Sequence, residues 1–416
     1  MALKMLYRYL YTALPAFLLA ILWLATGCGT KSTEGAAELP ADASWEQVKA
    51  AARDKTVTMM MWQGDPLINR YMQEWVKPRV QEQYGIKLAL VSGQGSQVVS
   101  TLMAERDAGR KTSALDLVWI NGETFFQLRQ IEGLHGPFTD RLPNSRFVNW
   151  ESPFIAVDFQ QPVDGWECPW GNVQMALIYD SAQVPEPPQT LADWERWWAA
   201  NPGKFTFGHD FTGMTLLKSW LIALAGSDTA LHGLFDETLY SRHSAELWAF
   251  INRNKQHFWN KGQSFPSSLA QMHQLFANGE LLFTMSNNDA EVDNKIAEGF
   301  FPNNSRAYVP QTGTIQNSHY LGIPAGSGAR EAAMVVINFL ISPEAQWEKM
   351  KPSVWGDGTI LSMEKLDAEW LRRFAELPGR KHAPDRAAIQ DRALMEPAPE
   401  YMIRLFADFR THVINQ

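Results

Sequence analysis

Cysteine is nearly absent from this chain: two residues, Cys28 and Cys168, among 416. A disulfide scaffold is excluded, because such scaffolds depend on a dense, paired set of cysteines. Basic residues are outnumbered, 37 Lys and Arg against 45 Asp and Glu, for a net charge of −8. That balance excludes DNA and RNA as partners, since phosphate-backbone affinity comes from clustered cations that release counterions. Catalytic and metal signatures are missing as well. The nine histidines form no His-Glu-x-x-His pattern and no close ligand spacing, so no metal and no cofactor is expected. Gly93-Gln94-Gly95 lacks the Gly-Lys-Ser/Thr of a phosphate loop, and no Gly-x-Ser-x-Gly elbow occurs. Ser362-Met363-Glu364-Lys365 matches Ser-x-x-Lys but stands without its companion motifs.

Long apolar runs are lacking too, save one. Lys4 and Arg8 precede Leu10 to Ala25, which ends in Thr26-Gly27-Cys28 and then turns polar. This is the layout of an export signal over residues 1–27. A spanning helix would need about 20 apolar residues, and Pro15 interrupts this one. Cys28 resembles the acylated residue of bacterial lipoprotein signals, with Ala25 where that motif prefers leucine. Plain cleavage after Gly27 is the other reading. Residues 28–44 are small and polar and read as a flexible tether. Loss of residues 1–27 removes two bases and no acid, leaving a net charge of −10. With Cys28 acylated, Cys168 is expected to be a buried thiol without a partner.

What is present is apolar and aromatic: 45% hydrophobic residues, 17 Trp and 22 Phe. That is enough to fold two or three lobes, given domains of about 100–150 residues. Val57–Trp62, Ile86–Val91 and Leu115–Ile120 read as short buried strands, separated by helical periodicity ending near Gly85 and Gly109. The order βαβαβ predicts a parallel sheet covered on both faces, with ligands beyond the carboxyl ends of its strands. Those ends carry Trp62-Gln63-Gly64-Asp65, Ser92-Gly93-Gln94-Gly95-Ser96 and Asn121-Gly122-Glu123-Thr124. Glycine allows close backbone approach to a ligand, while amides and hydroxyls orient it. Turn chemistry alone also accounts for any one such loop.

A second block follows Pro169-Trp170-Gly171-Asn172. Val173–Tyr179 and Phe205–Phe207 read as strands, and Thr212 as the cap of a helix from Gly213 to Ala225 that stops at Gly226. Leu282–Met285 is a further strand, tipped by Ser286-Asn287-Asn288-Asp289. The C-terminal stretches Lys365–Phe374 and Ala387–Phe409 are expected as surface helices packed on the second lobe.

The segments Pro169–Asp180, Leu191-Ala192-Asp193-Trp194, Tyr320-Leu321-Gly322-Ile323-Pro324 and Ser342-Pro343-Glu344-Ala345-Gln346, in this order, resemble the two-lobed solute-binding proteins of ABC importers. Within that family the resemblance is to a thiamine- or polyamine-like branch. It implies an α/β, two-lobed type II periplasmic-binding-protein fold, each lobe a parallel-rich sheet flanked by helices, joined by a hinge. It implies lobe I over 45–171 plus 318–348 and lobe II over 172–317 plus 349–416. It further implies a monomeric, non-catalytic protein that traps a small-molecule solute and hands it to an ABC permease and its ATPase, attached to the membrane by its lipid. Relatives that carry iron use adjacent tyrosines, and no Tyr-Tyr pair occurs here. The expected ligand contacts are Trp62, Gly64, Asp65, Gln94, Gly95, Ser96, Asn121, Gly122 and Glu123 on one lobe. Trp170, Asn172, Thr212, Gly213, Asn287, Asn288, Asp289 and Tyr320 complete the set. For each tryptophan, core packing is the competing reading. The acidic chain favours a neutral or cationic solute. The alternative class is an exported two-lobed α/β hydrolase.

Overall fold

The computed structural model describes residues 39–40 and 42–415. The export segment, Cys28 and most of the tether therefore lie outside the described residues. Twelve strands are described: β1 Thr56–Met61, β2 Lys87–Ser92, β3 Leu117–Ile120, β4 Leu134–His135, β5 Val157–Asp158, β6 Gln161–Pro162, β7 Cys168–Gln174, β8 Ala176–Asp180, β9 Phe283–Ser286, β10 Ser305–Tyr308, β11 Thr314–Pro324 and β12 Ala393–Leu394. The α-helices are α1 Trp45–Ala52, α2 Pro66–Arg70, α3 Lys77–Tyr84, α4 Gly95–Asp107, α5 Gly122–Gln130, α6 Pro153–Ala156, α7 Leu191–Ala200, α8 Phe211–Ala225, α9 Glu237–Asn254, α10 Leu269–Ala277, α11 Glu291–Ala297, α12 Arg330–Leu340, α13 Pro343–Met350, α14 Ala368–Ala375 and α15 Pro399–Phe409.

The first sheet runs β12-β11-β3-β1-β2, with β4 and β7 also paired to β11. β1 lies parallel to both β2 and β3, as the βαβαβ order requires. Val57, Met59 and Met61 of β1 are buried. α3 ends where Gly85 adopts the left-handed conformation at φ 70°, which a residue bearing a Cβ takes up only at a cost. β11 enters this sheet antiparallel to β3.

β7 and β11 pair antiparallel from Gln174↔Gln316 to Cys168↔Leu321, forming a two-stranded ribbon with a register shift between His319 and Tyr320. Only Met175 separates β7 from β8, so the chain passes straight from this ribbon into the second sheet, β10-β8-β9. Every pair in that sheet is antiparallel, which corrects the expectation of a second parallel-rich sheet. Direction explains it: β8 starts at the ribbon and runs away, whereas β9 runs toward it and ends at Ser286 beside Ala176. Phe205–Phe207 is not a strand either. Its rings are fully buried, with Phe205 4.7 Å from the Trp194 ring centroid. Aromatic packing, not ladder pairing, set that apolar signal.

The hydrophobic core divides into separate clusters, among them one on each sheet. One gathers Val98, Leu102, Val118, Ile120, Phe125, Leu128 and Tyr320 around the first sheet. The other gathers Trp194, Trp198, Phe207, Trp220, Phe250 and Leu282. α15 adds Tyr401, Met402, Leu405 and Phe409 to the second core, whereas α14 contributes no buried residue.

Candidate ligand cleft

The tips of the first sheet meet the second lobe at two places. After β1, Asp65 caps α2, accepting from the backbone N–H of Leu67 (2.8 Å) and Ile68 (3.2 Å). Its Oδ2 also accepts from Lys295 Nζ at 2.5 Å, tying this tip to α11. Burial pulls Lys295 down, but Glu291, Asp65 and Glu298 outweigh it and carry the ammonium up to about 12. After β3, α5 begins against Phe159: a Cβ on Gly122 would fall 1.9 Å from that ring. Lys218 of α8 lies on the same ring, its Nζ 4.2 Å from the centroid, and forms a buried ion pair with Glu396.

The expected contacts separate into two groups. Gln94 and Ser96 are exposed; Trp62, Asn121, Glu123, Asn287 and Asn288 are half-buried. Asn121 begins α5 without using its side chain as a cap. Glu123 Oε2 and Asn287 Oδ1 are sealed from water, and no donor among the described residues reaches them. Burial pushes the Glu123 carboxyl up, against the pull of Lys218. Thr212 is buried and accepts from Asn287 Nδ2 at 3.2 Å, so it fixes that amide in place. Gly64 is exposed, with the Trp62 indole folded over it.

The remaining expected contacts are engaged within the chain. Asp289 is fully buried and bound by Arg380 and Arg386, and its Oδ1 accepts from Gln174 N at 3.2 Å. Burial raises its carboxyl, yet Arg386 and Arg380 hold it below the usual range. Asn172 donates to Phe154 O, Asn317 O and Ser318 Oγ, and accepts from Gln316, pinning the ribbon. Tyr320 is buried and donates to Ile155 O at 3.1 Å. Trp170 is buried between Trp119, Trp355 and His319, with ring centroids 5.1–5.7 Å apart. Gly95 and Gly213 permit contacts inside the protein: a Cβ there would meet Thr124 Oγ1 at 1.9 Å and Gly208 O at 1.8 Å. The cap of α8 is Asp210, which accepts from Gly213 N at 3.0 Å; Thr212 sits inside the first turn, correcting the expected start by two residues.

Sequence reasoning missed the buried groups around the ribbon. Asp357 bonds Lys349 and lies 3.1 Å from His319 Nε2, under a tryptophan cluster that includes Trp355. Burial pushes Asp357 up, but Lys349 and His319 outweigh it and hold the carboxyl at about 2. No local pattern marks Lys218 or Glu396, which lie 178 residues apart, and none marks Asp357, whose partners Lys349 and His319 sit on other elements. Cys168 is buried, as expected, and burial pushes its thiol up. Lys365 of the isolated Ser-x-x-Lys donates to Val148 O at 2.9 Å, a structural role.

Residues 74–375 match the profile described as bacterial extracellular solute-binding protein. The chain belongs to that family. It is 37% identical over 326 residues to Protein YnjB of Escherichia coli strain K12, covering 77% of this chain and 84% of YnjB. The Tp0655 (TpPotD) lipoprotein of Treponema pallidum shares the fold at TM-score 0.62 with 12% identity, covering 87% of this chain and all of that one. An ABC transporter protein of Clostridium perfringens does so at 0.58 with 15% identity, over 86% of this chain and 99% of that one. The type II two-lobed fold is thereby shown, and the chain is a bacterial extracellular solute-binding protein by family. The hydrolase alternative finds no support in these comparisons. Among the described residues no helix is long and apolar enough to cross a membrane, and no three His, Cys, Asp or Glu gather as a metal site.

Proposed function

We propose that this protein captures a small polar solute, neutral or cationic and of thiamine-like or polyamine-like character, between the sheet tips and delivers it to a membrane permease and its ATPase. Trp62, Gln94, Ser96, Asn121 and Glu123 contact it from one lobe, and Asn287 and Asn288, held by Thr212, from the other. The observation that carries this reading is the pair of sealed acceptors just beyond strand ends, Glu123 Oε2 and Asn287 Oδ1, which no donor among the described residues reaches. A solute bearing N–H or ammonium groups satisfies both, and the Trp62 face adds stacking or cation–π attraction. Export by residues 1–27, acylation of Cys28, action as a monomer and the lobe boundaries at 171/172, 317/318 and 348/349 complete the proposal.

Closure follows from contacts to both lobes, because a solute shifts the open–closed balance only by its differential affinity. A thermal-shift screen of vitamins, polyamines, amino acids and sugars tests the reading. A true solute raises the melting temperature as RT ln(1 + [L]/Kd) and is recovered unchanged. Asn121→Ala and Asn287→Ala are expected to weaken it about tenfold each, while the unliganded melting temperature stays put. Unaltered affinity in both variants would discard the cleft.

A further inference from the structure

One ion pair joins the connections of two different sheets. Asp65 follows β1 of the first sheet, and Lys295 lies on α11, the helix after β9 of the second. Their side chains meet at 2.5 Å, and both are nearly buried. Beside Lys295, Asn294 donates to Trp355 O, and the Trp355 ring lies 6.0 Å from Tyr71 and 5.9 Å from Trp119 of β3. Two adjacent residues of α11 therefore hold groups packed against the first sheet, and both contacts are made by the chain's own atoms.

Each partner of the ion pair stays satisfied when the two separate. Lys295 has two further acids within reach, Glu291 of α11 at 3.6 Å and Glu298 at the end of that helix at 3.5 Å. Asp65 keeps the backbone N–H groups of Leu67 and Ile68 on Oδ1, while Oδ2 alone takes the lysine. The heavy penalty for splitting a buried pair comes from stranding one charge without a partner. Here neither charge is stranded, so the contact can open and close.

We propose that Asp65 and Lys295 form a releasable latch that holds the two lobes together in the solute-free protein, so that the chain itself contributes to closure. In a two-state hinge such a contact raises the closed fraction before any solute arrives. The apparent affinity for whatever binds the closed form scales with that fraction. The latch also accounts for Asp65, which stands at a strand tip among the expected ligand contacts and is instead bonded within the chain. The proposal rests on the two-lobed fold and not on the solute reading.

Small-angle X-ray scattering of the protein without solute tests it. Lys295→Met removes the cation and keeps an unbranched stem. Asp65→Asn removes the anion, and asparagine caps a helix about as well as aspartate, so its midpoint in urea is expected to match the wild type. Each variant is expected to have a larger radius of gyration than the wild type. The double variant should expand no further than either single one, because all three lose the same contact. Arg404→Met, which breaks the exposed pair with Glu237 between α15 and α9, leaves the radius unchanged. Should Lys295→Met not fold, Asp65→Asn carries the test alone. The proposal is overturned by one radius of gyration for the wild type and folded Asp65→Asn, by a double variant whose expansion is the sum of the two single ones, or by equal expansion in Arg404→Met. No solute enters these measurements, so failure of the latch leaves the cleft reading standing, and unaltered affinity in Asn121→Ala and Asn287→Ala leaves the latch standing.

Discussion

Asp357 and Lys349 meet beside the ribbon with almost no solvent on either side chain. The lysine also donates to Trp170 O at 2.8 Å and Gly358 O at 2.9 Å, so its ammonium is fully satisfied by groups near the hinge. Removing one partner of such a pair leaves the other as an uncompensated buried charge. Asp357→Ala is therefore expected to cost about 3–5 kcal/mol in urea unfolding, and Lys349→Met added to it should recover much of that loss. A single variant as stable as the wild type would refute the account. At this scale the sequence was readable only where side-chain type and position decide the matter. Asn121, Glu123 and Asn287 stand just beyond strand ends, at the start of α5 and after β9. Asp289 stands at a strand end as well, but Arg380 and Arg386 bind it from about ninety residues further on. No local pattern announces such partners, just as none announces that Phe159 covers Gly122.

Helices and parallel strands were legible because their signals are local. Apolar spacing placed the helix ending near Gly109, α4, and glycine stops at Gly85 and Gly226 coincide with left-handed C-caps. Strand direction in the second sheet was not legible, since nothing in β8 or β9 alone records where the neighbouring strand begins. The start of α8 shows a finer limit: Asp210 and Thr212 are both good caps, and the choice depends on which side chain reaches an N–H three residues on. Asp210 does so toward Gly213, whose lack of a Cβ lets Gly208 O approach the same turn. Asp210→Ala is expected to lower unfolding stability by about 1 kcal/mol, whereas Thr212→Ala should act mainly on solute affinity by freeing the Asn287 amide. Denaturant melts of the two variants check the first expectation, and titration with the solute found in the screen checks the second.

Across the described residues, the ribbon of β7 and β11 leads from the first sheet into the second, and ionisable groups crowd around it. Their titration gives the protein a pH signature whose sign follows from linkage. Burial holds Asp158 and Glu167 well above the usual carboxylate range, Asp158 further raised by Glu396 and Glu123 and Glu167 by Asp158 itself. Glu123 and Glu396 are raised by burial as well, with Lys218 opposing in both. Arg129 pulls Glu167 the other way, and Tyr320 packs nearby as a neutral hydroxyl. A carboxyl whose folded pKa is raised binds more protons folded than unfolded, so its stabilising effect is complete below the unfolded value near 4 and is lost as pH rises through the folded one. Asp357 and Asp289 are depressed and act oppositely: their stabilisation is present above about 4 and is lost as pH falls through their folded values. The melting temperature of the unliganded protein is therefore expected to fall as pH rises above the unfolded carboxylate range near 4, through the raised folded values of these groups. The double variant Asp158→Asn, Glu167→Gln should flatten that fall, because it removes the two most strongly raised groups while keeping their shapes. Calorimetric scans of both proteins across that range decide it, and an identical slope in the variant would place the protons elsewhere.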